Sequence, residues 1–216
     1  MTVLREAPSR DEAKRISSPI GKSGSPTHSL RNVLFITTAF PPDPWSGAAR
    51  AGRLAKYLPD FGYQPIVVCQ RVKGSGGDAE NVYRVPRFEC DLKTKILATL
   101  GQRIQRYLLP YNDQIPWVFH ALAQCEKLLN KHPIRAIVST SPPVATHLVA
   151  FALKRRFGFP WIADFRDPLL GNPFRSRYWP VPYDAMLEAQ FFEAADGLIA
   201  NTDTTAEMWR MRYSHA

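Results

Sequence analysis

Two acids, an arginine and a proline follow an apolar run in residues 160–168, whose sequence is PWIADFRDP. Such side chains can hold charged groups or exchange protons, and a buried strand places them at its carboxyl end, where open parallel sheets bind ligands. Asp164, Arg166 and Asp167 are therefore the first candidates for a site. An ordinary loop, or an internal ion pair between Asp164 and Arg166, would use the same residues for structure alone.

A second candidate site lies in the long loop after the first apolar strand, residues 32–38. Gly47 stands at the start of the next helix, and Arg50 lies one turn into it. A helix start offers free backbone N–H groups to an anion. Close packing of the helix would require the same glycine. The loop has neither the GxGxxG pattern of dinucleotide-binding oxidoreductases nor a GxxxxGKS or GxxxxGKT phosphate loop, which disfavours both classes.

Three hydroxyl residues, Ser139, Thr140 and Ser141, end another apolar run that starts at Ala136. Two prolines and a helical pattern over residues 144–157 follow them. The hydroxyl groups can face a ligand at the strand end, or they can cap the helix.

The elements that position these residues alternate along the chain. Helical patterns cover residues 144–157 and 183–195, and Asp203 is the predicted N-cap of a last helix. Alternating strands and helices predict an α/β fold with a doubly wound, mostly parallel sheet of about six strands. The predicted strands lie at residues 32–38, 65–69, 82–86 and 136–140 and in the apolar runs of residues 160–168 and 198–202.

Composition suits one domain, since the 216 residues are 45% hydrophobic and 22% charged. Residues 1–29 are rich in Ser, Pro, Gly, Lys and Arg and predict a disordered tail, which leaves residues 30–216 as the domain. Cys69, Cys90 and Cys125 are widely spaced, so we expect reduced thiols, no zinc site and a cytoplasmic location. The sequence shows neither a secretory signal nor an apolar run long enough to cross a membrane.

The formal net charge of +9 predicts an acidic partner. Residues 92–109 place Lys and Arg among apolar residues at about helical spacing, which is typical of a helix on an anionic membrane surface. A helix that covers its own sheet shows the same pattern, and we favour that interpretation. Peripheral contact with the inner membrane face stays as the alternative. No nucleic-acid-binding motif accompanies the charge, so nucleic acid is not expected as a partner.

These segments, taken in chain order, resemble the N-terminal domain of family-4-type glycosyltransferases. The resemblance runs from about Asn32 to Tyr213. It is carried by NVLFI at residues 32–36, FPP at 40–42, GAAR at 47–50, DQIPW at 113–117, STSPP at 139–143, PWIADFRDP at 160–168 and ADGLIANT at 195–202.

The resemblance implies one half of a GT-B architecture, in which two Rossmann-like domains hold the acceptor and the sugar donor. Such enzymes transfer a hexose from a nucleoside diphosphate sugar to a glycan or lipid-linked acceptor, in general without a bound metal. The chain ends at Ala216, where the linker to the donor domain would begin, so we expect it to be the acceptor-side half. A separate donor-domain chain would then be its partner. A non-catalytic binding module of the same fold, or an inactive truncated product, is the alternative.

Residue roles follow from the same resemblance. Ser46 and Gly47, with Arg50 nearby, match the loop that approaches the donor phosphates or the reacting sugar. Asp167 and Arg166 match a polar loop facing the cleft, where many relatives carry a histidine. The aspartate would orient the acceptor hydroxyl, and the arginine would stabilise phosphate charge. The acceptor side would be lined by Ser139, Thr140, Ser141 and Asp164.

Three aromatic residues, Trp117, Trp179 and Tyr183, are candidates for stacking on a sugar ring. Trp117 precedes Val118 and Phe119 in a helical pattern, which is more typical of a core position. No site role is assigned to these three residues.

Overall fold

The structure, a computed structural model, describes residues 30–72, 79–86, 115–172 and 181–213. In its first half, strand β1 spans Arg31–Ile36, helix α1 spans Ser46–Tyr57, a 3-10 turn spans Leu58–Phe61, β2 spans Tyr63–Gln70 and β3 spans Val82–Val85. In its second half, the elements are α2 (Ile115–Lys131), β4 (Ile134–Ser141), α3 (Ala145–Phe157), β5 (Trp161–Phe165), α4 (Val181–Ala194), β6 (Gly197–Ala200) and α5 (Asp203–Arg212).

Several predictions lie outside the described residues. They concern the tail of residues 1–29, the basic segment of residues 92–109, Cys90 and Trp179.

The six strands form one sheet in the order β3-β2-β1-β4-β5-β6, and every neighbouring pair is parallel. The predicted α/β fold with a doubly wound sheet of about six strands is confirmed. The chain moves outward from β1 to β3 and then returns to the other side of β1, so the strand order reverses between β1 and β4. Ligands of such sheets bind outside the carboxyl ends of the strands at this reversal.

Helices pack against both faces of the central strands, and β1 shows how. Its alternate side chains point to opposite faces. Leu34 and Ile36 join the larger core, to which α2, α3, α4 and α5 contribute, whereas Phe35 packs with Ala51 and Ala55 of α1. The strand therefore reads as one continuous apolar run, and polar side chains are left to gather at the strand ends.

Three smaller predictions have an outcome in the fold. Trp117 is a core residue, as its neighbours predicted, and Cys69 and Cys125 are buried and form no disulfide bond within the described residues. The prediction that Asp203 caps α5 is wrong, because the Thr205 N–H donates to the side chain of Thr202 at 3.2 Å. The backbone is still extended at Thr202 and turns helical only at Asp203, so the cap lies one residue earlier.

Candidate functional site

An open cavity of about 260 Å³ lies at the carboxyl edge of the sheet. Its lining comes from the ends of β1 and β2, the first turn of α1 and the residue after β5. The lining residues are Thr38, Ala39, Trp45, Ser46, Gly47, Gln70, Val72 and Arg166. Three predicted site residues, Ser46, Gly47 and Arg166, thus meet in one place, next to the reversal in strand order.

Helix α1 begins at this cavity with two free backbone donors. The carbonyl of Trp45 accepts the N–H groups of Ala48 at 2.9 Å and Ala49 at 3.3 Å. Within the described ranges, the N–H groups of Ser46 and Gly47 have no hydrogen-bond acceptor. The first turn also carries no acidic side chain. These donors and the positive end of the helix dipole are therefore available to an anion.

Gly47 lies against the guanidinium of Arg166. A Cβ atom at Gly47 would be 2.8 Å from Arg166 Nη1, which is closer than such atoms approach in proteins. The glycine is therefore needed for close packing, one of the two explanations that the sequence left open. Its packing partner is the predicted phosphate ligand, so the packing itself shapes the cavity.

Arg166 reaches from the end of β5 past the end of β4 to α1. Its Nε donates to the carbonyl of Ser141 at 3.1 Å, and its Nη2 donates to the carbonyl of Pro142. Nη1, beside Gly47, has no acceptor in the part of the chain that the structure describes. Burial lowers the pKa of Arg166 from its ordinary value, and the charge of Asp167 opposes this change. A fixed positive group with a free donor thus stands beside the two free N–H groups.

Asp164 pairs with Arg50, so the alternative of an internal ion pair between Asp164 and Arg166 is wrong. Its carboxylate accepts hydrogen bonds from Nε and Nη2 of Arg50, at 3.0 and 2.7 Å. It also accepts one from the hydroxyl group of Thr140, at 2.8 Å. Arg166 instead donates to the carbonyl groups at the end of β4 and just after it, and Asp164 pairs with Arg50 of α1. Asp164 is fully buried, and the hydrogen bonds to it raise the pKa of Arg50. This clamp fastens α1 to the ends of β4 and β5, and Arg50 is not part of the cavity lining.

A serine and a histidine meet inside the molecule. Ser139 Oγ lies 2.7 Å from Nδ1 of His147 and accepts the indole N–H of Trp161 at 2.8 Å. All three residues are fully buried, and burial lowers the pKa of His147 to about 3. The pair resembles a nucleophile with its base, but no substrate reaches it. A neutral His147 is therefore part of the core.

None of the hydroxyl residues at the end of β4 caps α3. The strand continues through Ser141, and Val144 occupies the N-cap position without a side-chain hydrogen bond. Ser139, Thr140 and Ser141 are all buried within the sheet. The capping explanation is wrong because the strand is longer than its apolar run suggested.

Asp167 is half-buried, one residue beyond Arg166. Its carboxylate accepts no hydrogen bond from any residue that the structure describes, so it is available to a donor. It does not line the cavity.

Glu188 of α4 was not predicted, and it holds the loop after β5. It is fully buried and accepts the N–H groups of Leu169 and Leu170 at 2.9 and 3.0 Å. Its other oxygen accepts Nη1 of Arg212 at 2.7 Å and the hydroxyl of Tyr213 at 2.9 Å. The loop that follows Arg166 is thereby joined to the end of α5.

Arg84 of β3 holds the loop after β1 in a similar way. It is buried, donates to the carbonyl of Pro41 at 2.6 Å and lies 3.7 Å from a carboxylate oxygen of Asp43. The sequence signal that could have found it is a charged residue inside an apolar strand, and Glu188 gives the equivalent signal in a helix.

The residues that the structure describes form neither a metal site nor a membrane-spanning helix. Within them, no three His, Cys, Asp or Glu side chains are grouped so that they could hold a metal ion. The helices described here are too short or too polar to cross a membrane.

Comparison with known proteins gives a family and a fold relative. The sequence matches the glycosyl transferase 4-like domain family over residues 47–213. Among solved structures, the chain is similar to Phytolacca americana UGT2 complexed with UDP-2fluoro-glucose and pterostilbene, at 10% sequence identity and a TM-score of 0.47. The likeness covers 83% of this chain and 48% of that one, so the chain spans about half its length. No curated protein matches the sequence.

Proposed function

The chain belongs to the glycosyl transferase 4-like domain family, and we propose that it is the acceptor-side domain of a hexosyltransferase. A hexose would pass from a nucleoside diphosphate sugar to a hydroxyl group of a glycan or lipid-linked acceptor. The acceptor oxygen bonds to the anomeric carbon while the bond from that carbon to the β-phosphate oxygen breaks. The nucleoside diphosphate leaves with the electron pair, and a base takes the hydroxyl proton.

The observation that supports this proposal is the set of free donors in the cavity. The N–H groups of Ser46 and Gly47 and Nη1 of Arg166 lie together, and the lining contains no acidic side chain. A departing diphosphate gains negative charge, and donors fixed in advance stabilise such charge. The carbonyl groups of Ser141 and Pro142, which accept hydrogen bonds from Arg166, hold it in place for that role.

The other predicted residues take supporting roles in this proposal. Asp167 accepts the hydrogen bond of the acceptor hydroxyl, since its carboxylate is otherwise unused among the described residues. Asp164 acts through Arg50, which holds the donor end of α1 in place. Further contacts with the nucleotide would come from a second domain. A lipid-linked acceptor would agree with the net charge of +9, because anionic membrane surfaces attract basic proteins.

The proposal can be tested by NMR on the 216-residue chain, because the method detects weak binding by one half of a site. UDP-glucose, GDP-mannose and dTDP-glucose are titrated in turn, with inorganic pyrophosphate as the minimal probe. We expect the amide signals of Ser46 and Gly47 and the Nε–H signal of Arg166 to shift with at least one nucleotide sugar. Unchanged signals at all three residues with every probe would contradict the anion site.

Two matched glycine variants sharpen this test. Gly47→Ala puts a methyl group against Arg166 and should weaken binding by about tenfold, the effect of losing one charge-assisted hydrogen bond. Gly197→Ala adds the same methyl group at an ordinary contact distance of 3.7 Å from Ile162, so it should leave binding unchanged. If the two variants bound the nucleotide sugar with equal affinity, Gly47 would not be needed for anion binding.

A non-catalytic binding module is the second candidate, and one observation favours it: no Asp, Glu or His lines the cavity, so the lining itself offers no base. Release of nucleoside diphosphate separates the two. Measured with a donor-domain chain present, release that depends on the acceptor supports transfer, whereas saturable binding without release supports the module.

A further inference from the structure

Trp45 is an exposed tryptophan at the rim of the cavity, with 62% of its surface open to solvent. The other tryptophans that the structure describes, Trp117, Trp161 and Trp209, are buried in the core. The Trp45 ring makes no hydrogen bond and no ring contact with any described residue. A large apolar side chain in this position adds nothing to the core and keeps its face exposed to water.

The start of α1 does not require an indole at residue 45. Only the backbone carbonyl of Trp45 accepts hydrogen bonds from the first turn, and its side chain forms no cap. Many other residues would supply the same carbonyl, and Ser, Thr, Asp or Asn would add a side-chain cap. The exposed ring is therefore unexplained by helix formation.

The surroundings of the ring combine apolar and hydrogen-bonding groups. Ala39 and Val72 line the same cavity as Trp45. So do Thr38 and Gln70, whose side chains form no hydrogen bond with the residues that the structure describes. A pyranose ring has a face of C–H groups and a rim of hydroxyl groups, so it matches an aromatic face flanked by free polar side chains.

The size of the cavity limits what it can hold. Its volume of about 260 Å³ lies below the roughly 300–1,000 Å³ of pockets that enclose drug-sized ligands. One sugar ring fits such a space, whereas a whole nucleotide sugar does not. The ring would lie next to the free donors of Ser46, Gly47 and Arg166, beside the proposed reaction centre.

We propose that Trp45 is the platform on which a hexopyranose ring of the acceptor stacks. The acceptor is then itself a glycoside, and one of its sugar hydroxyl groups receives the transferred hexose. The side chains of Thr38 and Gln70 form hydrogen bonds with the remaining hydroxyl groups of this sugar ring. This inference rests on the proposed function, and it narrows the acceptor from a glycan or lipid-linked compound to one whose reacting hydroxyl group belongs to a sugar ring.

Saturation-transfer NMR with methyl hexopyranosides tests the platform on the 216-residue chain. The probes are methyl glycosides of glucose, galactose, mannose and N-acetylglucosamine. We expect at least one of them to receive saturation on the ring protons of one face and to shift the indole N–H signal of Trp45. Trp45→Ala should weaken that binding by about 5- to 10-fold, and Trp45→Phe should keep most of it.

Phe61 provides the control, because it is also an exposed aromatic residue and it ends the 3-10 turn that follows α1. The 12 residues of α1 put it roughly 18 Å away along the helix. Phe61→Ala should bind the glycoside like the parent chain. Equal binding by Trp45→Ala and Phe61→Ala would overturn the platform.

The two proposals fail in different ways. Shifts at Ser46 and Gly47 with nucleotide sugars, but no saturation of any methyl glycoside, would overturn the acceptor platform and leave the proposed function standing. Saturation confined to the uracil protons of UDP-glucose would assign Trp45 to the base and also overturn the platform. Glycoside binding without any nucleotide-sugar shift would support the platform and count against the anion site.

Discussion

The buried Ser139–His147 pair and the open cavity at Gly47 differ in whether a ligand can reach them, and their residue types do not indicate this difference. The pair has the composition of a nucleophile and its base, yet both residues are fully buried. The cavity has a glycine, an arginine and uncharged polar groups, yet ligands can reach it. Access therefore distinguishes the proposed site from the buried pair, which residue type alone does not do.

The same comparison separates satisfied polar groups from free ones. Inside the sheet, Ser139 and Asp164 have their hydrogen-bonding partners in the chain. At the cavity, Gln70 and the donors of Ser46 and Gly47 have none among the described residues. Substitutions in the buried groups should therefore change stability, and substitutions at the cavity should change binding.

The largest loss of stability should come from Arg50→Met, which tests the buried polar groups. The change leaves the carboxylate of Asp164 buried without its cation, and breaking such a pair costs about 3–5 kcal/mol. Urea unfolding should show a loss of this size. Arg53→Met, at an exposed position of the same helix, should change the free energy of unfolding by less than about 0.5 kcal/mol. If Arg50→Met altered ligand binding and left stability intact, the pair of Arg50 and Asp164 would act in binding at the cavity and not in holding the fold together.

A smaller effect is expected from the acid dependence of stability. An unfolded histidine has a pKa near 6.5, and folded His147 has a pKa of about 3, so the unfolded chain binds more protons between these values. Stability should then be full above pH 6.5 and should fall by about 1.4 kcal/mol per pH unit below it, or about 2 kcal/mol by pH 5.

Urea unfolding at several pH values measures this slope, and His147→Leu should remove it. The exposed His120 supplies the control, since His120→Gln should keep the slope of the parent chain. If the free energy of unfolding depended on pH equally in the parent chain and in His147→Leu, water would reach His147. The Ser139–His147 pair would then not differ from the cavity in access.

The smallest effect on stability is expected at the cavity, with Gln70→Ala. The side chain has no hydrogen-bond partner among the described residues, so the free energy of unfolding should change by less than about 0.5 kcal/mol. Binding of the methyl glycoside should weaken by about 2- to 10-fold, which is the range for one neutral hydrogen bond. A clear loss of stability with unchanged binding would place Gln70 among the structural groups.

The sequence predicted the central strands well because helices cover both of their faces. Runs such as residues 32–36 and 65–69 are apolar throughout, and this pattern needs no tertiary information. The positions of Gly47 and Arg166 at the carboxyl edge of the sheet were also predictable, since helix starts and strand ends are visible as patterns, and their roles stay predictions.

Partners across the fold were not predictable in the same way. Arg50 and Asp164 are 114 residues apart in sequence, and which arginine reaches the acid depends on how α1 lies on the sheet. The exposure of Trp45 depends on the cavity beside it, which has no pattern of its own. Thr202 and Asp203 are both good caps, and only the backbone turn decides between them.

The contact between Gly47 and Arg166 also constrains how this protein can change by mutation. Any residue larger than glycine at position 47 displaces the guanidinium, so the two positions are expected to vary together among relatives. A lineage that acquires alanine at position 47 would need a shorter side chain at position 166, or it would lose the fixed positive charge. A change in one of these two loops is therefore expected to require a change in the other.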